Sequence, residues 1–273
     1  MGNLQVSPNN ESPSILSGLY KYLTSNSNKR LESGNALNGV YRHQLKNLGL
    51  PAEWDWRTQY PSCIHSVRNQ ASCGSCWSFS ATGMLEDRLC IQSDGEVNVR
   101  LSPEDMISCD YNNGGCNGGM LSGTIAYLQS EGVVSETCKP YASGVGINGF
   151  CKMSCTDLTV PYKKYFCRKG SMVSPVQYED IMQELMDNGP MQVGFIVYSD
   201  FTAYSSGIYE VLSQSIAGAH AVKLLGWKYD GNGRLYWICQ NQWGTTWGES
   251  GYFRIYAGEA GIDYNVNACT PRV

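Results

Sequence analysis

Three side chains far apart in the sequence are of the types that nucleophilic catalysis combines. They are Cys76 in Cys73-Gly74-Ser75-Cys76-Trp77, His220 in Gly218-Ala219-His220-Ala221 and Asn241 in Gln240-Asn241-Gln242-Trp243. A thiol attacks a carbonyl only as thiolate, so it needs a base within hydrogen-bond reach and a third group that orients the base. Cys76 stands where a loop gives way to a helix-like pattern, and there amide N–H groups and the positive helix end stabilise an anion. Gln70, just upstream, offers a side-chain N–H beside the backbone N–H of Cys76, which makes two donors for a developing oxyanion.

Each residue also has a plainer reading. An isolated CxxC such as Cys73–Cys76 is most often a pair of bridge cysteines or a redox couple. No βαβ pattern surrounds it, which disfavours a thioredoxin-like role. Zinc is disfavoured because the only other close pair, Cys151 and Cys155, has no histidine near it. The chain holds three histidines, and His43 and His65 read as surface or loop residues. Neither a metal nor an organic cofactor is called for.

The elements that must position these residues are legible in part. Residues 76–88 carry Trp77, Phe79, Ser80, Met84 and Leu85 at helix-like spacing and read as a buried helix despite Gly83. Residues 178–188 repeat Ile181, Met182 and Leu185 at helical spacing and stop at Gly189-Pro190. Beyond them, residues 191–198, 221–227, 234–239 and 251–256 are strand-like and separated by Gly-rich turns. A helix-rich half followed by a strand-rich half argues an α+β fold with two lobes. Residues 1–48 differ, having no Cys or Trp and one short helical face at Leu16, Leu19, Tyr20 and Leu23. The main boundary therefore falls near residue 49. Asn10-Glu11-Ser12 is a glycosylation sequon, disfavoured by Pro13.

With 273 residues, 42% hydrophobic, 11% aromatic and 16% charged, the chain has enough apolar material for a sizeable core and is not disordered, collagen-like or coiled coil. A net charge of −4 lacks the basic footprint of nucleic-acid binding. Twelve cysteines point to an oxidising compartment. No apolar run approaches the roughly 18 residues of a membrane span. Residues 1–4 begin no signal-peptide pattern, and Val6 breaks the myristoylation pattern.

The motifs taken together resemble the papain-like cysteine proteases, and within that family the cathepsin B branch. The resemblance covers residues 50–273 through LPAEWDWR (50–57), NQASCGSCWSFSA (69–81), CNGG (116–119), NGP (188–190), YSDFTAYSSGIY (198–209), GAHAVKLLGW (218–227), NQWGTTWGESGYFRI (241–255) and GIDYNV (261–266). It implies a papain-like two-lobed fold, with a helix-rich lobe at about 60–160, a β-barrel-like lobe at about 161–260 and crossing terminal arms. It also implies a hydrolase made as a zymogen, with residues 1–48 as an inhibitory propeptide and residues 49–273 as the peptidase domain.

By the same resemblance Cys76 is the nucleophile, His220 the general base and then acid, Asn241 the orienting group and Gln70 the oxyanion donor. Cys76 and His220 rest as a thiolate–imidazolium pair, and Trp243 shields the Asn241–His220 hydrogen bond. Gly118 and Gly119 let a substrate backbone approach. Ala219 and Asn265 belong to the substrate pocket, and a neutral Asn265 in place of an acidic residue favours hydrophobic over arginine P2 side chains. Expected partners are protein or peptide substrates, the chain's own propeptide and cystatin-type inhibitors, with the enzyme monomeric in a lysosome-like vacuole or secreted.

The segment between Cys138 and Cys151 departs from the branch, where a longer loop with two histidines closes the cleft and gives carboxydipeptidase activity. Endopeptidase activity is therefore expected, although Lys139 or Lys152 could still hold a substrate C-terminus. The alternatives are a carboxydipeptidase or a silent peptide-binding homologue. The resemblance pairs Cys63 with Cys90, Cys73 with Cys116, Cys109 with Cys151 and Cys138 with Cys155. Of the remaining three, Cys239 reads as a buried inert thiol, and whether Cys167 pairs with Cys269 stays open. Gln242 stands where the family usually has serine.

Overall fold

A computed structural model describes residues 49–273. The helical face at 16–23, His43, the Asn10 sequon and the whole proposed propeptide lie outside the described residues. The elements that matter for the site are α1 (Cys76–Gln92), α2 (Pro103–Cys109), α3 (Leu121–Ser130) and α4 (Tyr178–Asn188). With them run β1 (Trp54–Asp55), β2 (Met191–Tyr198), β3 (Ile208–Tyr209), β4 (Ile216–Tyr229), β5 (Leu235–Gln240), β6 (Tyr252–Tyr256) and β7 (Asn265–Asn267).

Every residue of α1 from Trp77 to Cys90 is buried. A helix apolar on one stripe only would leave a polar face to water, whereas α1 sits between the two halves and buries charged residues as well. Each of those charges has a partner. Glu86 accepts from Arg68 at 2.6 Å and from the Leu101 amide at 2.7 Å. Asp87 accepts from Lys223 of β4 and lies 3.0 Å from the His65 ring. Arg88 donates to the carbonyls of Pro190, Gly189 and Cys269 and to Glu184 of α4. α2 begins at Pro103 with Ser102 capping the Asp105 amide, a favourable helix start.

The strand-rich half is one sheet in the order β3-β6-β5-β4-β2-β7, with β1 added beside the far end of β4. β6 alternates in the period-2 manner of a half-covered strand, burying Phe253 and Ile255. β5 is buried at all its residues, as suits a strand covered on both faces. The barrel-like closure expected from the sequence is not found. β3 is two residues long and β7 three, and no ladder joins them. The chain beyond β7 instead bridges back to the 167–173 segment, at Val173–Ala268 and Cys167–Pro271, so an arm covers that edge.

Five disulfides are present: the four pairings implied by the resemblance and Cys167–Cys269. Cys76 and Cys239 are in no disulfide. Burial pushes the Cys239 thiol up, which suits an inert core residue.

Lys223→Met would leave Asp87 as a buried carboxylate without its lysine. The expected cost is about 3–5 kcal/mol, read as a lower midpoint in denaturant unfolding with the disulfides intact.

Candidate active site

Cys76 is the first residue of α1 and is half-buried. First-turn amides of a helix have no intrahelical acceptor, so they and the helix dipole favour negative charge at this position. The loop before it is shaped by the Cys73–Cys116 bridge and by the Gly74 amide donating to the Cys116 carbonyl at 2.9 Å.

His220 lies in β4 opposite Phe195 of β2 and is 6% exposed. Its Nε2 is 2.8 Å from Asn241 Oδ1, and Asn241, just after β5, is 1% exposed. The Trp243 ring lies over the imidazole at 4.7 Å between centroids and packs in turn against Phe201 and Trp247. Burial pushes His220 down to about 4, against the hydrogen bond to Asn241, which raises it. In this setting the imidazole is neutral at ordinary pH unless an anion faces it.

Gln70 is buried, and both ends of its amide are held. Its Nε2 donates to the Cys73 carbonyl at 2.8 Å, and its Oε1 accepts from Gln242 Nε2 at 3.0 Å. The Gln70 backbone N–H donates to the Gln242 carbonyl at 2.9 Å, and its carbonyl accepts from the Tyr141 hydroxyl at 2.6 Å. Contacts therefore run from the imidazole through Gln242 and Gln70 to Cys73, three residues before Cys76. The sequence reading took Gln242 only as a departure from the family and missed its side-chain role. No spacing signal marks it, because its partners come from three distant segments.

The two glycines of Cys116-Asn117-Gly118-Gly119 differ in surroundings. Gly118 has φ +102 and open space where a Cβ would stand, whereas a Cβ on Gly119 would meet the Trp77 ring at 2.6 Å. The missing side chain is thus required by Trp77 at Gly119 and leaves room for something outside the chain at Gly118. Asn265 begins β7 opposite Gly194, whose partner on β4 is Ala221. Ala219 pairs with Ile196, further along β2. The small residue beside Asn265 is therefore Gly194, with Ala221 next in the same row of the sheet, and a Cβ on Gly194 would meet both the Asn265 amide and the Leu121 side chain at 3.2 Å. The sequence reading saw Gly194 only as part of a strand.

The segment after Cys138 is short and tied down. Glu104 accepts from the Ala142 and Ser143 amides and from the Ser143 hydroxyl, and Asn148 accepts from the Cys116 amide. Lys139 is buried and donates to Asp105 at 2.6 Å, so it does not face a substrate. Lys152 stays exposed. Among the described residues, His65, Glu86 and Asp87 bring metal-ligand atoms within 4.8 Å of one another. Arg68 and Lys223 already neutralise the two carboxylates, so the group does not suit a cation.

The family model for papain family cysteine proteases matches residues 50–270. The chain is 37% identical over 217 residues to the cathepsin B-like protein CP2 of Giardia intestinalis, covering 77% of this chain and 70% of that protein. It is 36% identical over 267 residues to cathepsin B-like cysteine proteinase 4 of Caenorhabditis elegans, covering 86% and 79%. The solved structure of procathepsin B S9 from Trypanosoma congolense superposes with a TM-score of 0.76 at 32% identity, covering 82% of this chain and 78% of that one.

In a Cys76→Ala variant no sulfur anion can face the ring, and an NMR titration of His220 is expected to give a value near 4. An ordinary value near 6.5 would show that the imidazole is solvated. A lowered value also makes the variant lose stability as pH falls from about 6.5 towards 4, because the unfolded chain then binds the proton first.

Proposed function

The chain belongs to the papain family of cysteine proteases, and from that premise we propose that it is an endopeptidase in which Cys76, His220, Asn241 and Gln70 carry the reaction. It hydrolyses peptide bonds as a papain-family cysteine protease of the cathepsin B-like kind. The observation that carries the site assignment is the burial of His220 between Asn241 and Trp243, linked through Gln242 and Gln70 to the loop that leads into Cys76.

In this reading the Cys76 thiolate attacks the scissile carbonyl carbon, and the carbonyl π pair moves to oxygen. The Gln70 Nε2–H and the Cys76 N–H stabilise that oxyanion. Collapse breaks the C–N bond, and the His220 imidazolium gives its proton to the leaving amine, leaving a thioester. Water, deprotonated by the now neutral imidazole, attacks the thioester through a second oxyanion and releases the acid and the thiolate. Asn241 holds the ring, and Trp243 keeps water from the Asn241–His220 hydrogen bond.

Endopeptidase action rests on the segment between Cys138 and Cys151, which has no histidine and whose Lys139 is committed to Asp105. Gly118 offers room for a substrate backbone. Asn265 is uncharged and shares a row of the sheet with the small Gly194 and Ala221, which favours apolar P2 side chains over arginine if the substrate pocket opens there. The five disulfides favour an oxidising setting, whether a lysosome-like vacuole or outside the cell. No helix among the described residues is long and apolar enough to cross a membrane. The likeness to a procathepsin B supports residues 1–48 acting as an inhibitory prosegment ahead of the peptidase domain.

Two peptide sets test this reading at acidic pH, one internally quenched with both ends blocked and one with a free C-terminus. Cleavage of the blocked set, lost in Cys76→Ala, is the expected result. Cleavage of the free-C-terminus set alone would mean that the short segment still caps the cleft and that the enzyme is a carboxydipeptidase.

A further inference from the structure

Gln242 touches three of the four residues assigned to the reaction, Gln70, His220 and Asn241. It is 5% exposed, and its amide Nε2 lies 3.0 Å from Gln70 Oε1, 2.7 Å from the Ala221 carbonyl and 3.3 Å from His220 Nε2. Its backbone N–H lies 2.8 Å from Asn241 Oδ1, and its carbonyl accepts from the Gln70 amide.

Counting hydrogens shows what these contacts do. A backbone N–H can only donate, so the Asn241 atom facing it must be the oxygen. That same oxygen faces His220 Nε2, which therefore carries a hydrogen and leaves Nδ1 as the basic nitrogen. The side-chain Nε2 of Gln242 has two hydrogens and two carbonyl acceptors, Gln70 Oε1 and Ala221 O. Both hydrogens are committed, and the side chain cannot turn over without setting its own oxygen against two others.

Gln70 is then constrained in the same way. With Oε1 held by Gln242 and one Nε2 hydrogen held by Cys73, its second Nε2 hydrogen is left to donate. A reversed Gln70 amide would place oxygen against the Cys73 carbonyl and nitrogen against Gln242 Nε2.

We propose that the Gln242 side chain is a positioning residue that locks the Gln70 amide in its donating orientation, so that part of the oxyanion stabilisation in this enzyme depends on it. A serine at this position has a single hydroxyl hydrogen and could not donate to Gln70 Oε1 and the Ala221 carbonyl together. Here the lock belongs to the longer amide. The proposal rests on the reading of Gln70 as oxyanion donor given above.

The test compares Gln242→Met, which keeps the length and removes both donors, with Gln242→Ser, Gln70→Ala and the double variant Gln70→Ala/Gln242→Met. An internally quenched peptide serves as substrate, and active sites are titrated with an epoxysuccinyl reagent. Removing an oxyanion donor outright costs on the order of 100-fold in kcat, and loosening one is expected to cost about tenfold. Gln242→Met and Gln242→Ser should therefore lower kcat about tenfold per titrated site with KM within about twofold, the signature of an interaction made only in the transition state. The double variant should be no slower than Gln70→Ala alone.

A merely structural role predicts fewer titratable sites with kcat per site unchanged, or losses that multiply in the double variant, and either result overturns the proposal. Should Gln242→Met fail to fold, Gln242→Ser carries the comparison. A Gln70→Ala enzyme as fast as the parent would overturn the oxyanion reading and this proposal together. A slow Gln70→Ala beside fast Gln242 variants would overturn this proposal alone.

Discussion

A helix buried on all sides cannot leave a single charge to water, and α1 carries Glu86, Asp87 and Arg88 into the interior. Each of these must be met by a group from elsewhere in the chain, or the fold forfeits several kcal/mol. The partners come from both halves: Arg68 and Leu101 for Glu86, Lys223 for Asp87, and the carbonyls around Gly189 with Glu184 for Arg88. These contacts join the strand-rich half to the helix at defined points. Cys76 heads the same helix that holds Asp87, and His220 stands three residues before Lys223 on the same strand. The ion pair at the junction therefore ties the helix that Cys76 heads to the strand that carries His220.

The electrostatics of the site follow from the same burial. An imidazole sealed by Asn241, Gln242 and Trp243 has little solvent to support a charge, and burial holds it near 4. A protonated ring at working pH therefore needs an anion close by, and in the mechanism proposed above the Cys76 thiolate at the helix N-terminus is that anion. In that proposal each member of the pair supports the other's charge, while the surrounding amides set hydrogen-bond direction. The groups against the ring, Asn241, Gln242 and Trp243, are neutral, and a carboxylate in their place would hold the imidazolium without any thiolate.

Much of this was legible in the sequence because it rests on local pattern. Residues 191–198 and 178–188 became β2 and α4 with the expected limits, since alternation, helical spacing and Gly189-Pro190 are short-range signals. Cys76, His220, Asn241 and Gln70 stood out by residue type and by the motifs around them. What was not legible depends on contacts between distant segments. The barrel expected for the second half is an open sheet, because β3 and β7 are too short to meet and the tail pairs with residues 167–173. α2, at seven residues, is too short to show a period, whereas α3 buries Leu121, Ile125 and Leu128 at helical spacing that the sequence reading did not use. Gly119 reads as an opening for substrate, and its missing side chain also makes room for Trp77, a contact the sequence does not signal. Lys139, a candidate for holding a substrate carboxylate, is consumed by Asp105. Gln242 carried no signal beyond its being unusual at its position.

The account depends on Cys76 and His220 sharing a proton so that the thiol is ionised because the ring is charged. The direct measurement is the rate of alkylation of Cys76 by iodoacetamide as a function of pH, in the parent and in His220→Ala. The account predicts a rate in the parent that stays level from pH 8 down to about pH 5, and a variant whose rate falls steadily below about pH 8.5, as for an ordinary thiol. A parent enzyme that follows the ordinary thiol curve, or a variant that keeps the level profile, would contradict it.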